Sequence, residues 1–265
     1  MARRLSRWVS LALLLGMTSA ASIAQSESLA TKTTEEPGSS AFSTPIGLTG
    51  DDIVAKMLKR NRLRNEQLQR YSAVRTYEIR NLEGKLAAQA VVQVDYQAPD
   101  RKTFHKTSEK GSSIVRHLVF DGLLQSEGEA SSGREHHDSA ITTANYTFKL
   151  VGEEDLGSHR CFLLEATPKR KDKYLFEGKI WVDAEDFAVA RIAGHPAKKP
   201  SFWINRADFV REYQRIEGFW LPYRDQTYVE VKIYGRKVFS VDHEQYLINS
   251  PLPVQLQSEG ESDPD

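Results

Sequence analysis

The sequence predicts a mainly β protein of the α+β kind, an antiparallel sheet with helices packed on one face. Three observations predict it. From Ser72 onward, apolar and polar residues alternate with a period of two in about ten separate stretches. Turn residues such as Glu83-Gly84, Pro99-Asp100, Glu217-Gly218 and Tyr234-Gly235 separate those stretches. Helical spacing of apolar residues occurs only twice, before the first strand and in the middle of the chain.

The chain opens with Arg3, Arg4 and Arg7, then an apolar run from Trp8 to Met17, then the small residues Ser22-Ile23-Ala24. That order is a secretory signal peptide over residues 1–24, with cleavage expected after Ala24, too short in its apolar part for a membrane span. No cysteine lies near that point, so a lipid anchor is not expected. Residues 25–48 are rich in Ser, Thr and Glu, with Pro37-Gly38, and read as a disordered linker. Residues 49–250 form the folded domain, and 251–265 an acidic disordered tail. No second apolar stretch is long enough to cross a bilayer.

The full chain has 36 basic and 36 acidic residues. Removing residues 1–24 takes three arginines, so the 241 remaining residues carry 33 basic against 36 acidic, a net −3. So balanced a charge argues against a nucleic-acid binder. The single cysteine, Cys161, cannot form an internal disulfide, so an exported fold must be held by its own core.

Each element has its own signal. A helix is expected from Thr49 or Asp51, where a polar cap precedes two acidic residues. Ile53, Met57 and Leu58 form its stripe, continued by Leu63, Leu68 and Tyr71. Tyr77 and Ile79 then alternate with Glu78 and Arg80. After Glu83-Gly84, residues Ala88, Ala90, Val92, Val94 and Tyr96 share one face of a hairpin. A third strand contains Phe104. Ile114, Leu118, Val119, Leu123 and Leu124 predict a central helix from Ser113 to about Gln125, followed by a polar loop. Later strands are expected at 146–151, 160–166, 174–183, 187–192, 208–216, 219–231 and 237–248.

No catalytic, metal or cofactor site is expected. His243-Glu244-Gln245-Tyr246-Leu247 opens like a zinc-protease helix but has Leu247 where the second histidine belongs, and it lies in a strand-like stretch. Glu135-His136-His137-Asp138 is dense in metal-binding residue types, yet adjacent side chains rarely converge on one ion. Cys161 and His159 share a strand face, but Phe162-Leu163-Leu164 after the cysteine suits a buried, inert thiol. In "EGKIWVDAEDFAVARI", Glu185 and Asp186 are expected to solvate a turn and Asp183 to pair with Arg191 across it. Lys56, Lys59, Arg60, Arg62 and Arg64 load the first helix, and Lys169, Arg170, Lys171 and Lys173 load one turn. Both groups suit an anionic surface or a plain solvated face.

"FEGKIWVDAEDFAVARIAG" followed by "FVREYQRIEGFWLPYRDQTYVEVKIYG" resembles the C-terminal half of outer-membrane lipoprotein-sorting proteins. These are the LolA/LolB-like envelope carriers and their MucB/RseB-type relatives. The likeness covers about residues 50 to 248 and is one of pattern, not of catalytic motif. It implies a half-open β-barrel whose concave face is covered by the N-terminal and central helices around an apolar cavity. It implies neither an enzyme nor a metal. The expected role is a periplasmic carrier or binder of lipid or acylated lipoprotein. The second expectation is an envelope regulator or structural interaction protein, with a protein partner and a packed, non-transporting barrel. Alternation nominates Tyr77, Ile79, Val92, Val94, Phe104, Leu118, Phe148, Leu164 and Trp220 as cavity liners.

Overall fold

The computed structural model describes residues 47–99, 101–112, 140–172, 174–199, 202, 204–232 and 235–250. The linker, the central helix, the 128–138 loop, the tail and the N-terminal leader of the sequence reading lie outside them.

One helix and ten strands are described: α1 (Gly50–Gln67), β1 (Arg70–Asn81), β2 (Leu86–Gln97), β3 (Arg101–Gly111), β4 (Tyr146–Leu156), β5 (His159–Pro168), β6 (Phe176–Asp183), β7 (Val189–Pro196), β8 (Ile204–Ile216), β9 (Phe219–Val231) and β10 (Gly235–Ile248). All ten strands join one antiparallel sheet in the order β3-β2-β1-β10-β9-β8-β7-β6-β5-β4. Among the described residues β3 and β4 are its two edges, so the sheet is a curved, half-open barrel rather than a closed one. The exposed edge β3 is blunted by lysines, Arg101 and His105 along a largely exposed strand.

α1 begins where the sequence places it. Thr49 is the N-cap, its hydroxyl accepting from the Asp52 amide at 3.2 Å while Asp52 Oδ2 accepts from the Thr49 amide at 2.9 Å. The Thr49 hydroxyl and amide together hold the Asp52 carboxyl below its usual range. Ile53, Val54, Met57 and Asn61 face the sheet, and the helix packs against β4. Gly50 lets the two backbones meet: a Cβ there would lie 2.8 Å from the Phe148 carbonyl oxygen.

The tail of the expected helical stripe is corrected. Leu63 is 44% exposed, Leu68 is the extended C-cap residue and Tyr71 already belongs to β1. Leu68 and Tyr71 are still buried, but in a separate cluster with Ala73 and Tyr96, reached after the chain has left the helix. Strand bounds also shift: β4 runs on to Leu156, so the turn there is Gly157-Ser158.

The outer face is wet and held by a ladder of opposite charges. Asp242 on β10 accepts from Arg224 on β9 at 2.5 Å. Glu212 on β8 stands opposite Arg224 and lies 3.8 Å from Arg191 on β7. Arg191 caps the Trp181 ring at 5.2 Å, and Trp181 donates to Glu154 at 3.0 Å. Arg191 is therefore committed to Trp181 and Glu212, which corrects the expected Asp183–Arg191 pair.

Candidate binding face

Two rows of paired residues cross the inner face of all ten strands. The first runs Phe148, Ala166, Gly178, Gly194, Phe209, Thr227, Phe239, Ile79, Ala88, Gly111 from β4 to β3. The second runs Leu150, Leu164, Ile180, Ile192, Arg211, Asp225, Val241, Tyr77, Ala90, Glu109. Both rows are apolar on either flank. The second carries an arginine–aspartate pair in its middle.

The flanks form separate cores. On the β4 side, Ile53, Val54 and Met57 of α1 pack with Phe148, Leu164, Ile180 and Ile192. On the other side, Tyr77, Ile79, Ala88, Ala90, Val92, Val94, Phe239 and Val241 form a second cluster, with Phe104 packed against it. α1 has no part in that second cluster.

Between the cores lies a buried polar centre. Arg211 Nε donates to Asp225 Oδ1 at 2.7 Å, and His243 Nε2 lies 3.0 Å from Asp225 Oδ2. Arg75, opposite His243 on β1, reaches the Tyr77 hydroxyl at 3.4 Å. All four charged or titratable groups are buried. Burial works against the charged form of Arg211, but Tyr213 and Asp225 beside it more than offset this and raise its pKa. Burial in turn pushes the Tyr213 phenol up. The arrangement combines two fixed guanidinium groups, one carboxylate and one imidazole in an otherwise apolar surface, and no nucleophile. His243 thus lies on a strand, not on the helix that a zinc-protease motif requires.

A second polar cluster pins the helix to the β6/β7 turn. Asp183 accepts from the amides of Glu185 at 3.0 Å and Asp186 at 2.6 Å, and its other oxygen lies 3.1 Å from His159 Nδ1. Asp186 accepts from Trp220 Nε1 at 2.8 Å and pairs with Arg215 at 2.9 Å. Arg64 of α1 donates to the Asp186 carbonyl at 2.9 Å. Asp186 is therefore a structural acceptor and not merely a solvated turn residue. The carboxylates of this hairpin fix its turn and anchor α1.

Cys161 sits beside that cluster, fully buried, its thiol pushed up to about 12 by burial first and by Asp183 next. A protonated thiol is a poor nucleophile. Native protein at neutral pH should resist thiol-specific alkylation until it is denatured, and rapid native labelling would contradict this. The sign for stability follows from the same shift. Because the folded thiol holds its proton above the unfolded value, its contribution is complete below about pH 9 and is lost as pH rises toward 12. Tyr146, buried and raised in the same direction, adds to the alkaline loss. Stability measured by chemical denaturation should therefore fall above about pH 9, less steeply in Cys161→Ala.

Of the nominated liners, Tyr77, Ile79, Val92, Val94 and Phe104 lie in the second cluster, and Phe148, Leu164 and Trp220 in the α1 cluster. They are not one contiguous lining, because the polar centre divides them. Leu118 falls outside the described residues. Arg75, Arg211 and Asp225 are not nominated from the sequence, and His243 is weighed there only as a metal ligand and not as their neighbour. Their signal was present: each occupies the apolar phase of its strand, as in Phe209-x-Arg211-x-Tyr213. Among the described residues, no three His, Cys, Asp or Glu groups gather as a metal would require. No described helix is long and apolar enough to cross a membrane.

Solved structures similar to this chain include the LolA superfamily protein NE2245 from Nitrosomonas europaea, 12% identical, with a TM-score of 0.38 over 78% of this chain and 96% of that one. A DUF1329 family protein from Desulfovibrio piger is 16% identical, with a TM-score of 0.36 over 76% of this chain and 95% of that one. The MucA/MucB complex of Pseudomonas aeruginosa matches at 10% identity and a TM-score of 0.28, over 74% of this chain and 93% of that one. No family profile and no curated protein matches the sequence.

Proposed function

We propose that this protein is a non-catalytic binder of the bacterial envelope, exported to the periplasm, that holds the acyl chain of a lipid or lipidated protein against the inner face of its sheet. The observation that carries this reading is a second apolar cluster on β1, β2 and β10, buried with no contribution from the one described helix. Each methylene buried there is worth about 0.8 kcal/mol, so a run of ten offsets a large ordering cost. The polar centre beside that surface suits the polar end of such a ligand.

A titration with a fluorescent fatty acid tests this. Phe104, half-buried on the edge strand β3, is the least enclosed of the described liners. Saturable binding in the native protein should weaken at least tenfold in a Phe104→Asp variant of unchanged circular dichroism. Equal affinity in the variant would remove this face as the site. The second reading, a packed regulatory or structural module, is favoured by one observation: Val92 and Val94 are fully buried. It predicts no probe binding at all and a stable protein partner.

A further inference from the structure

The four connections β1/β2, β5/β6, β7/β8 and β9/β10, and both ends of the β3/β4 connection, lie at one end of the sheet, as the pairings Phe176 to Pro196, Ile204 to Val231, Asn81 to Lys237, Ala88 to Gly111 and Tyr146 to Pro168 require. The connections themselves carry opposite charge at the two ends, although Arg64 of α1 and Arg215 bear on the 184–188 turn at the far end. At this end, the described residues of three connections carry Lys169, Arg170, Lys171, Lys198, Lys199 and Lys232 against Asp172 alone. The fourth, β1/β2, is balanced by Glu83 and Lys85. At the other end, the connections 157–158, 184–188 and 217–218 carry Glu185, Asp186 and Glu217 and no base.

We propose that the basic end of the sheet docks on an anionic membrane surface. The net positive charge selects an anionic partner. Two further observations select a bilayer over an acidic protein. Phe202 and Leu82, 76% and 58% exposed, stand among these bases at the same end. Lys232 Nζ lies 3.5 Å over the Phe202 ring, the pairing of an amphipathic cation with an aromatic that suits the headgroup level. The bases are also spread over the tips of three connections, a layout that meets a broad charged plane rather than one side chain. Lys169 and Arg170 brace their own loop through the Thr143 carbonyl at 2.6 Å and Asn145 Oδ1 at 2.6 Å. Exposed Lys198 and Lys199 are therefore the cleaner probes. Docking of this kind is independent of any acyl chain on the inner face.

Co-sedimentation tests it, using the full chain expressed with its own leader and purified as the cell processes it. The vesicles are phosphatidylcholine alone or mixed with phosphatidylglycerol, at low and high salt. Binding should require phosphatidylglycerol and fall with salt. It should weaken about 5-fold per lysine, hence ~25-fold in K198A/K199A. Phe202→Ser should weaken it further, and Glu185→Gln at the opposite end should leave it unchanged. The proposal is overturned if phosphatidylglycerol adds nothing, or if K198A/K199A binds like the native protein. It is also overturned if Glu185→Gln shifts binding as much, or if the protein ignores vesicles and binds polyglutamate instead. The Phe104→Asp variant should still sediment, so that a failure of acyl binding and a failure of docking are read separately.

Discussion

Asp225→Ala is expected to cost about 3–5 kcal/mol of stability, measured by urea denaturation, because it leaves the buried Arg211 cation without its carboxylate. Asp225 is 7% exposed, accepts from Arg211 at 2.7 Å and faces His243 at 3.0 Å. Its removal strands the Arg211 guanidinium, 4% exposed, in the middle of the sheet. Asp225→Asn keeps an acceptor but not the charge, and should fall between. Replacing both partners, as in Arg211→Met with Asp225→Leu, should recover most of the loss, since a buried pair contributes little net stability against well-packed apolar residues. A cost below about 1 kcal/mol for Asp225→Ala would show that water reaches the centre. If the double variant also fails to bind an acyl probe while folding normally, the polar centre is a recognition element and not only a structural one.

Gly178→Ala should be comparably damaging for a different reason. Gly178 and Gly194 face each other in the first inner row, and β6 and β7 approach there more closely than a side chain allows. A Cβ on Gly178 would overlap the Ala193 carbonyl oxygen and lie 2.6 Å from Gly194 Cα. Those neighbours are backbone, so the strands themselves must part, at a cost of about 3 kcal/mol or more. Gly84 and Gly218 provide the comparison. A Cβ there meets nothing within 4 Å, and only their positive φ resists substitution. Alanine at either should cost about 1 kcal/mol. Equal losses at all of these positions would mean that crowding between β6 and β7 is not what Gly178 relieves.

Much of the sheet was legible because period-two alternation reports burial on one face directly. Ala88, Ala90, Val92 and Val94 are all fully buried, and their neighbours are not. Glu217-Gly218 was legible as a tight hairpin because both residues take positive φ, a conformation glycine favours. The order of strands was not legible. Pairing of β1 with β10 joins segments far apart in sequence, and no local pattern encodes it. The polar centre was half-visible: a charge in an apolar phase is a signal, but its partners come from three other strands. Trp181 misled in the opposite direction. It sits on the polar phase of β6 yet is only 7% exposed, because Arg191 from β7 covers it. Seven of the eight described liners are buried and Phe104 is half-buried, but phase cannot tell a packed core from a cavity wall, and the division into two clusters needed the fold.

Native mass spectrometry of the processed protein, purified from the envelope fraction without detergent and paired with organic extraction of the same sample, tests the central claim most directly. The account predicts a bound mass that extraction resolves as a lipid or an acylated peptide, and that is absent from Phe104→Asp. A clean unliganded mass, with no uptake of added lipid, would contradict it and leave a packed interaction module.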